Sequence, residues 1–196
     1  MTWGEIQLES LKKMFLNKDI LINSDLDNYK KDKKYKTYLD AMPQACNEAI
    51  NYIIEKEPII KIYKLDKVSE ASTYDLKQLI SDYKKFYDLD SDTFVNWKLI
   101  TKNLLKIDGW SSGNINVLYS YYPSLITSST ESDYKLELEE SFSRIIPLYI
   151  AGELYKDDDL TLSTIYMNEF ITNLNNLLSN DNFVNNKIQS VYRMEI

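Results

Sequence analysis

The spacing of apolar residues changes period twice along the chain. Leu8, Leu11 and Phe15 recur at helical intervals, with Ile6 and Met14 widening the stripe, which predicts an amphipathic helix over residues 3–16. Thr2 and Glu5 stand at capping-box spacing just before it, a hydroxyl and a carboxylate suited to two free backbone donors. Residues 23–38 are polar and lysine-rich and predict a solvated connection with a short helix near Tyr35–Leu39. A second helix is expected from about Met42 to Lys56. Pro43 would sit in its first turn, where the missing N–H costs nothing, and Pro58 would stop it. Its apolar face is Met42, Ala45, Cys46, Ala49, Ile50, Ile53 and Ile54, and the small residues allow close approach of another helix. Cys46 lies in this stripe and reads as a packing residue.

From residue 58 the period shortens. Ile59–Tyr63 is β-prone, Tyr74–Ile80 reads as a short helical turn, and Lys84–Leu89, Val95–Ile100 and Leu104–Asp108 are short runs between polar turns. The clearest strand is Asn114–Tyr122, with Ile115, Val117, Tyr119 and Tyr121 on one face. Asp108-Gly109 and Ser112-Gly113 bracket a loop expected to return the chain as a hairpin or meander. Pro123 ends the strand, and the Ser/Thr-rich residues 124–133 form a polar connection.

Helical spacing then returns. Leu138, Phe142, Ile145, Ile146, Tyr149, Ile150 and Leu154 form a wide stripe that Pro147 interrupts, so a kink or break is expected near Arg144–Ile146. After Lys156-Asp157-Asp158-Asp159, the residues Leu162, Ile165, Tyr166, Phe170, Leu174 and Leu177 predict a helix over Leu160–Leu178, antiparallel to the one before it. An Asn-rich extended tail, 179–196, follows, and its Ile188–Met194 portion reads as a short strand.

These elements define an α+β protein, mainly α. A helical bundle core carries a small antiparallel β-lobe inserted between the second and third main helices. The expected division is 1–57 for the N-terminal core helices, 58–126 for the β-lobe, 127–178 for a helical hairpin and 179–196 for the tail. At 196 residues the chain is long enough to bury a core without disulfides.

Composition narrows the chemistry. The net charge is −7, which argues against a tight non-specific nucleic-acid binder. There is no histidine, so His-based nucleophilic catalysis and His-ligated zinc are excluded. The single cysteine forms no intramolecular disulfide, which fits a reducing cytosol, and no run approaches the roughly 20 apolar residues of a membrane span. The N-terminal residues lack the charged and apolar stretches of a signal peptide.

Each candidate motif has a plainer reading beside it. Asp157–Asp159 offers oxygen ligands for a hard cation, but adjacent carboxylates point apart, and capping of the next helix accounts for them. Glu139, Glu140 and Glu153 could be posed as a general acid and base. Any chain with 30 acids supplies such pairs. Lys30–Lys36, interleaved with Tyr29 and Tyr35, has a phosphate-contacting composition, diluted by acids at 25, 27 and 32, and reads as a solvated face. Tyr122 lies opposite the apolar face of its strand and is free for a partner. The terminal Val191, Tyr192, Arg193 and Met194 suit pairing with a neighbour's sheet edge or docking in a groove, or else folding back on their own domain. No catalytic, cofactor-binding or metal-binding residue is assigned, no cofactor is implied, and the chain reads as non-enzymatic.

Three stretches resemble the head–tail connector (adaptor, or head-completion) proteins of tailed bacteriophages. The first is Met1-Thr2-Trp3-Gly4-Glu5-Ile6-Gln7, leading to Met42-Pro43 and the Asn47-Glu48-Ala49-Ile50 helix. The second is Tyr119-Ser120-Tyr121-Tyr122-Pro123 with Ile126-Thr127. The third, and most specific, is Ile146–Ala151, then Leu154–Leu160, then Tyr166-Met167-Asn168-Glu169-Phe170. The resemblance implies a helical core with a small β-insertion. It also implies a structural virion protein in the neck, assembled in the host cytoplasm as a ring, commonly of twelve copies. Its partners would be sister copies, the portal protein and the next neck or tail protein, with DNA as passing cargo and no membrane contact. A neighbouring neck component, such as a stopper or tail-completion protein, is the alternative within that class. A monomeric cytosolic protein-binding module is the alternative outside it.

Overall fold

A computed structural model describes residues 1–15, 26–66, 73–92, 95–108 and 113–192, with side chains described as far as Ser179. The fold is mixed α+β, with two small antiparallel three-stranded sheets between the N-terminal and C-terminal helices. The chain divides into two compact units, one of Met1–Glu57 with Leu125–Ile196 and one of Pro58–Ser124.

In the helical unit, α1 spans Trp3–Met14. Its capping box is formed as expected: the Glu5 N–H donates to Thr2 Oγ1 at 3.3 Å and the Thr2 N–H to Glu5 Oε2 at 2.8 Å. The next two free donors of the first turn are also satisfied, Trp3 N–H by the Tyr134 carbonyl and Gly4 N–H by that of Ser132, both at 2.8 Å. Gly4 is required there, because a Cβ would stand 3.0 Å from both Ser132 Cβ and its carbonyl oxygen. The buried face is Trp3, Ile6, Gln7, Ser10, Leu11 and Met14, while Leu8 is half-buried. The Ser10 hydroxyl is buried without penalty because it donates to the Ile6 carbonyl at 2.7 Å.

The polar stretch after α1 is more ordered than its composition suggests. Helix α2 spans Leu26–Lys31, and α3 runs Lys33–Lys56 without interruption. Pro43 therefore sits inside a helix, not in its first turn, and the segment expected as a connection supplies the first two and a half turns. The reason is local. Asp32 accepts from the Lys34 N–H at 2.9 Å and caps α3, and Tyr35 and Leu39 carry the buried stripe of Met42, Cys46 and Ile53 back toward the N-terminus. Burial of that stripe offsets the one hydrogen bond that proline removes. Tyr29 and Tyr35 are buried and meet edge-to-face at 5.4 Å, and Tyr35 meets Phe15 at 5.1 Å. The aromatic residues of this stretch therefore turn inward while its lysines stay exposed.

On the C-terminal side, α5 spans Glu140–Ser143 and α6 spans Ile146–Leu154. The break at Arg144–Ile145 is the one Pro147 predicts, with the proline at the start of α6. Helix α7 begins at Leu160 and packs on α6. Tyr149 meets Phe170 with ring centroids 5.1 Å apart, and Gly152 faces Met167. Their residue numbers fall on one helix as they rise on the other, so the two run antiparallel. Helix α7 continues to Tyr192, 33 residues and about 50 Å. The expected extended tail and the strand at 188–194 are thus corrected as far as Tyr192, while 193–196 lie outside the described residues. No proline or glycine interrupts 179–192, so the backbone carries α7 onward. The buried face of α7 is centred on Ser163, Phe170 and Leu174, which leaves Leu162 and Ile165 of the expected stripe exposed.

In the β unit, β1 (Ile60–Leu65), β6 (Ile115–Tyr121) and β3 (Tyr83–Ser91) form one sheet in the order β1-β6-β3. β2 (Thr73–Asp75), β5 (Leu104–Asp108) and β4 (Asn96–Leu99) form the other, in the order β2-β5-β4. A short helix, α4, spans Leu76–Leu79 after an Asp75 cap. β5 and β6 lie in different sheets, so the expected hairpin return after Asp108 is a crossing between sheets. The alternation of Ile115, Val117, Tyr119 and Tyr121 explains it. Such a strand belongs at the centre of a sheet, and β1 and β3 cover both its edges. Residues 109–112 of that loop lie outside the described residues; Gly113 follows with φ 95°, a backbone region that glycine enters without strain. Both sheets feed one core, in which Leu105 and Ile107 meet Leu65, Phe86, Ile115 and Val117.

Candidate functional site

Tyr122 follows the last residue of β6, and its ring is exposed. Its N–H donates to the Asp82 carbonyl at 3.1 Å, and the Lys84 ammonium stands 5.3 Å from its ring centroid. It adjoins a polar cluster that the sequence did not reveal. Lys61 of β1 pairs with Asp82 at 2.9 Å, the Tyr119 hydroxyl donates to the other Asp82 oxygen at 3.0 Å, and the Lys61 ammonium lies 3.5 Å from the Tyr121 ring centroid. Burial, and then the bond to Asp82, push the Tyr119 hydroxyl up to about 12. Burial alone would raise the Asp82 carboxyl, but the hydrogen bonds from Lys61 and Tyr119 together outweigh it and hold it below the usual aspartate value. The cluster joins β1, β6 and the turn before β3, residues far apart in sequence that only the strand order brings together.

Of the other named candidates, Val191 and Tyr192 lie in the last turn of α7, and Arg193 and Met194 fall outside the described residues. The structure therefore does not bring them together with Tyr122. Exposed apolar side chains that the sequence did not single out appear in both units: Ile62 and Tyr87 on the β unit, Leu125, Leu160 and Ile165 on the helical unit. Ile62 escaped notice because a β-prone run does not by itself say which face is covered.

The acidic candidates are occupied locally. Asp159 accepts from the N–H groups of Thr161 and Leu162 at 2.9 and 3.0 Å, the helix cap expected of it. Asp158 accepts from the Tyr38 hydroxyl at 2.9 Å. Glu140 pairs with Arg144 at 2.6 Å, Glu139 accepts from the Ser141 hydroxyl, and Glu153 pairs with Lys156. Among the described residues, no three metal-ligating side chains converge, and no helix is long and apolar enough to cross a membrane. Cys46 is fully buried, and desolvation pushes its thiol up to about 12, which suppresses the thiolate.

Two hollows open on the helical unit. One, of about 750 Å³, lies between α1 and residues 135–147, and part of its charged rim is neutralised by the Glu140–Arg144 pair. The other, of about 310 Å³, lies between α1, the start of α3 and the Ser/Thr loop 127–132. Trp3, Gln7, Leu39 and Pro43 line it among others, all of them buried. Gln7 is a binding-type residue the sequence reading missed. The only signal was its place four residues after Trp3 and four before Leu11, on what proves to be the buried face of α1.

No protein-family model matches the chain, and a search of curated proteins finds no match either.

Proposed function

We propose that this chain is a structural, non-enzymatic virion protein: a head–tail connector that assembles as a ring between portal and tail and continues the DNA channel. The observation that carries the reading is the division of the chain. Both ends of the polypeptide build a helical unit and residues Pro58–Ser124 form a separate β unit, the organisation that the connector resemblance implies. Exposed apolar side chains on both units support it. A closed ring is built from heterologous contacts, so each subunit must offer two different surfaces to its neighbours. Ile62 and Tyr87 on one unit and Leu160 and Ile165 on the other are candidates for such surfaces. The net charge of −7 also suits a conduit, because it disfavours a firm grip on passing phosphates.

The decisive experiment is image reconstruction of the neck of an intact particle that carries this gene product. The expected result is a collar of copies seated below the portal, each with its helical and β units resolved. A neck without such a collar, or a solitary well-folded subunit that turns over a small molecule, overturns the reading.

A further inference from the structure

We infer that the 310 Å³ hollow of the helical unit is a binding site for a phosphate group. Its floor holds two polar side chains that the protein leaves unpaired. Gln7 is 7% exposed and Trp3 is 2% exposed, yet neither the Gln7 carboxamide nor the Trp3 indole N–H has a hydrogen-bond partner among the described residues. Buried donors of this kind are ordinarily satisfied, and leaving them unpaired is costly. The hollow gives both a common outlet.

The lining is rich in donors. Lys36 stands on the rim with no ion pair among the described residues, and Lys30 beside it pairs only with Asp27, at 3.2 Å. Across from them, the loop 127–132 presents hydroxyls, among them Ser128 and Thr130. Two ammonium groups, an amide NH₂, an indole N–H and several hydroxyls exceed what the two oxygens of a carboxylate can accept. A phosphate, with three or four strong acceptor oxygens, matches them better. Asp40 is the one acid on the rim, and it favours an occupant that brings a proton or hydroxyl to it. This reading is independent of the connector proposal.

The test is nuclear magnetic resonance of the intact chain, titrated with inorganic phosphate at constant ionic strength held by chloride. A saturable shift of the Gln7 side-chain amide and Trp3 indole signals is expected with phosphate and not with chloride. Lys36→Glu, an exposed change that leaves the core intact, is expected to weaken it about tenfold or more, as loss of one charge-assisted contact implies. Gln7→Glu keeps the side-chain shape and is expected to abolish the Trp3 shift, with the amide spectrum reporting that the fold is kept. A parallel titration with a ten-residue oligothymidylate separates the sources. If the oligonucleotide moves the same signals at lower concentration, the site takes a nucleic-acid phosphodiester; if inorganic phosphate alone does, it takes a small anion. Silence of both signals toward both probes, or shifts that Lys36→Glu leaves unchanged, overturns the assignment.

Discussion

Single residues with a local job were the most legible. The Thr2–Glu5 box, the Asp159 cap and the Pro147 break each depend on groups within four positions of one another, so spacing alone reveals them. Asp159→Ala removes an acceptor from two N–H groups at the start of α7 and should cost about 1 kcal/mol. Thermal unfolding should show it as a drop of about 2–4 °C in Tm. Asp82 is the opposite case, since its partners Lys61 and Tyr119 come from other strands. Its carboxyl ionises more readily in the folded chain than in the unfolded one. The stabilisation is therefore complete above the ordinary aspartate value, about 3.9, and is lost as pH falls through the lower folded value. Urea unfolding of Asp82→Asn against wild type should give a gap at pH 7 that narrows at pH 3. A gap that widens on acidification would contradict this linkage. Gln7 was illegible for a related reason: an amide on a helix gives no hint of burial until the partner surfaces are known.

At the scale of elements, periodicity found most helices and strands but misjudged how far some extend and which way they face. Helix α3 absorbed a lysine-rich stretch because Tyr29, Tyr35 and Leu39 bury one side of it, a tertiary effect that overrides composition. The α6–α7 contact turns on Gly152, where a Cβ would stand 2.8 Å from Met167 Cγ and 3.2 Å from its backbone nitrogen. Gly152→Ala gains roughly 1 kcal/mol of helix propensity, but crowding of a packed contact costs roughly 1–3 kcal/mol. The expected net effect is destabilisation in urea, and the penalty should shrink when Met167 is also alanine. Equal penalties in both backgrounds would show that the helices do not meet there. The far end of the pair is tied by hydroxyls: Tyr166 donates to the Lys13 carbonyl at 2.6 Å and Tyr155 to that of Met14. The two stacked tyrosines thus satisfy carbonyls that the end of α1 leaves free.

For the whole molecule, the mixed α+β class followed from the change of hydrophobic period at residue 58 and its return after residue 133. The proposed collar makes a prediction at this scale. A chain ending at Lys187 should keep its unfolding temperature, because the described core of α7 centres on Phe170 and Leu174. It should nevertheless fail to join a collar on purified portal rings, as negative-stain imaging would reveal. Normal incorporation would remove residues 188–196 from the assembly surfaces. The sequence by itself determined what short-range forces specify: helix caps, a proline break, the alternation of β6 and the burial of Cys46. Only the tertiary structure decided which strands share a sheet, that Lys61, Asp82 and Tyr119 meet, and that Trp3 and Gln7 open into one hollow. Those outcomes depend on surfaces separated by many residues, and a pattern read along one segment carries no information about what will cover it.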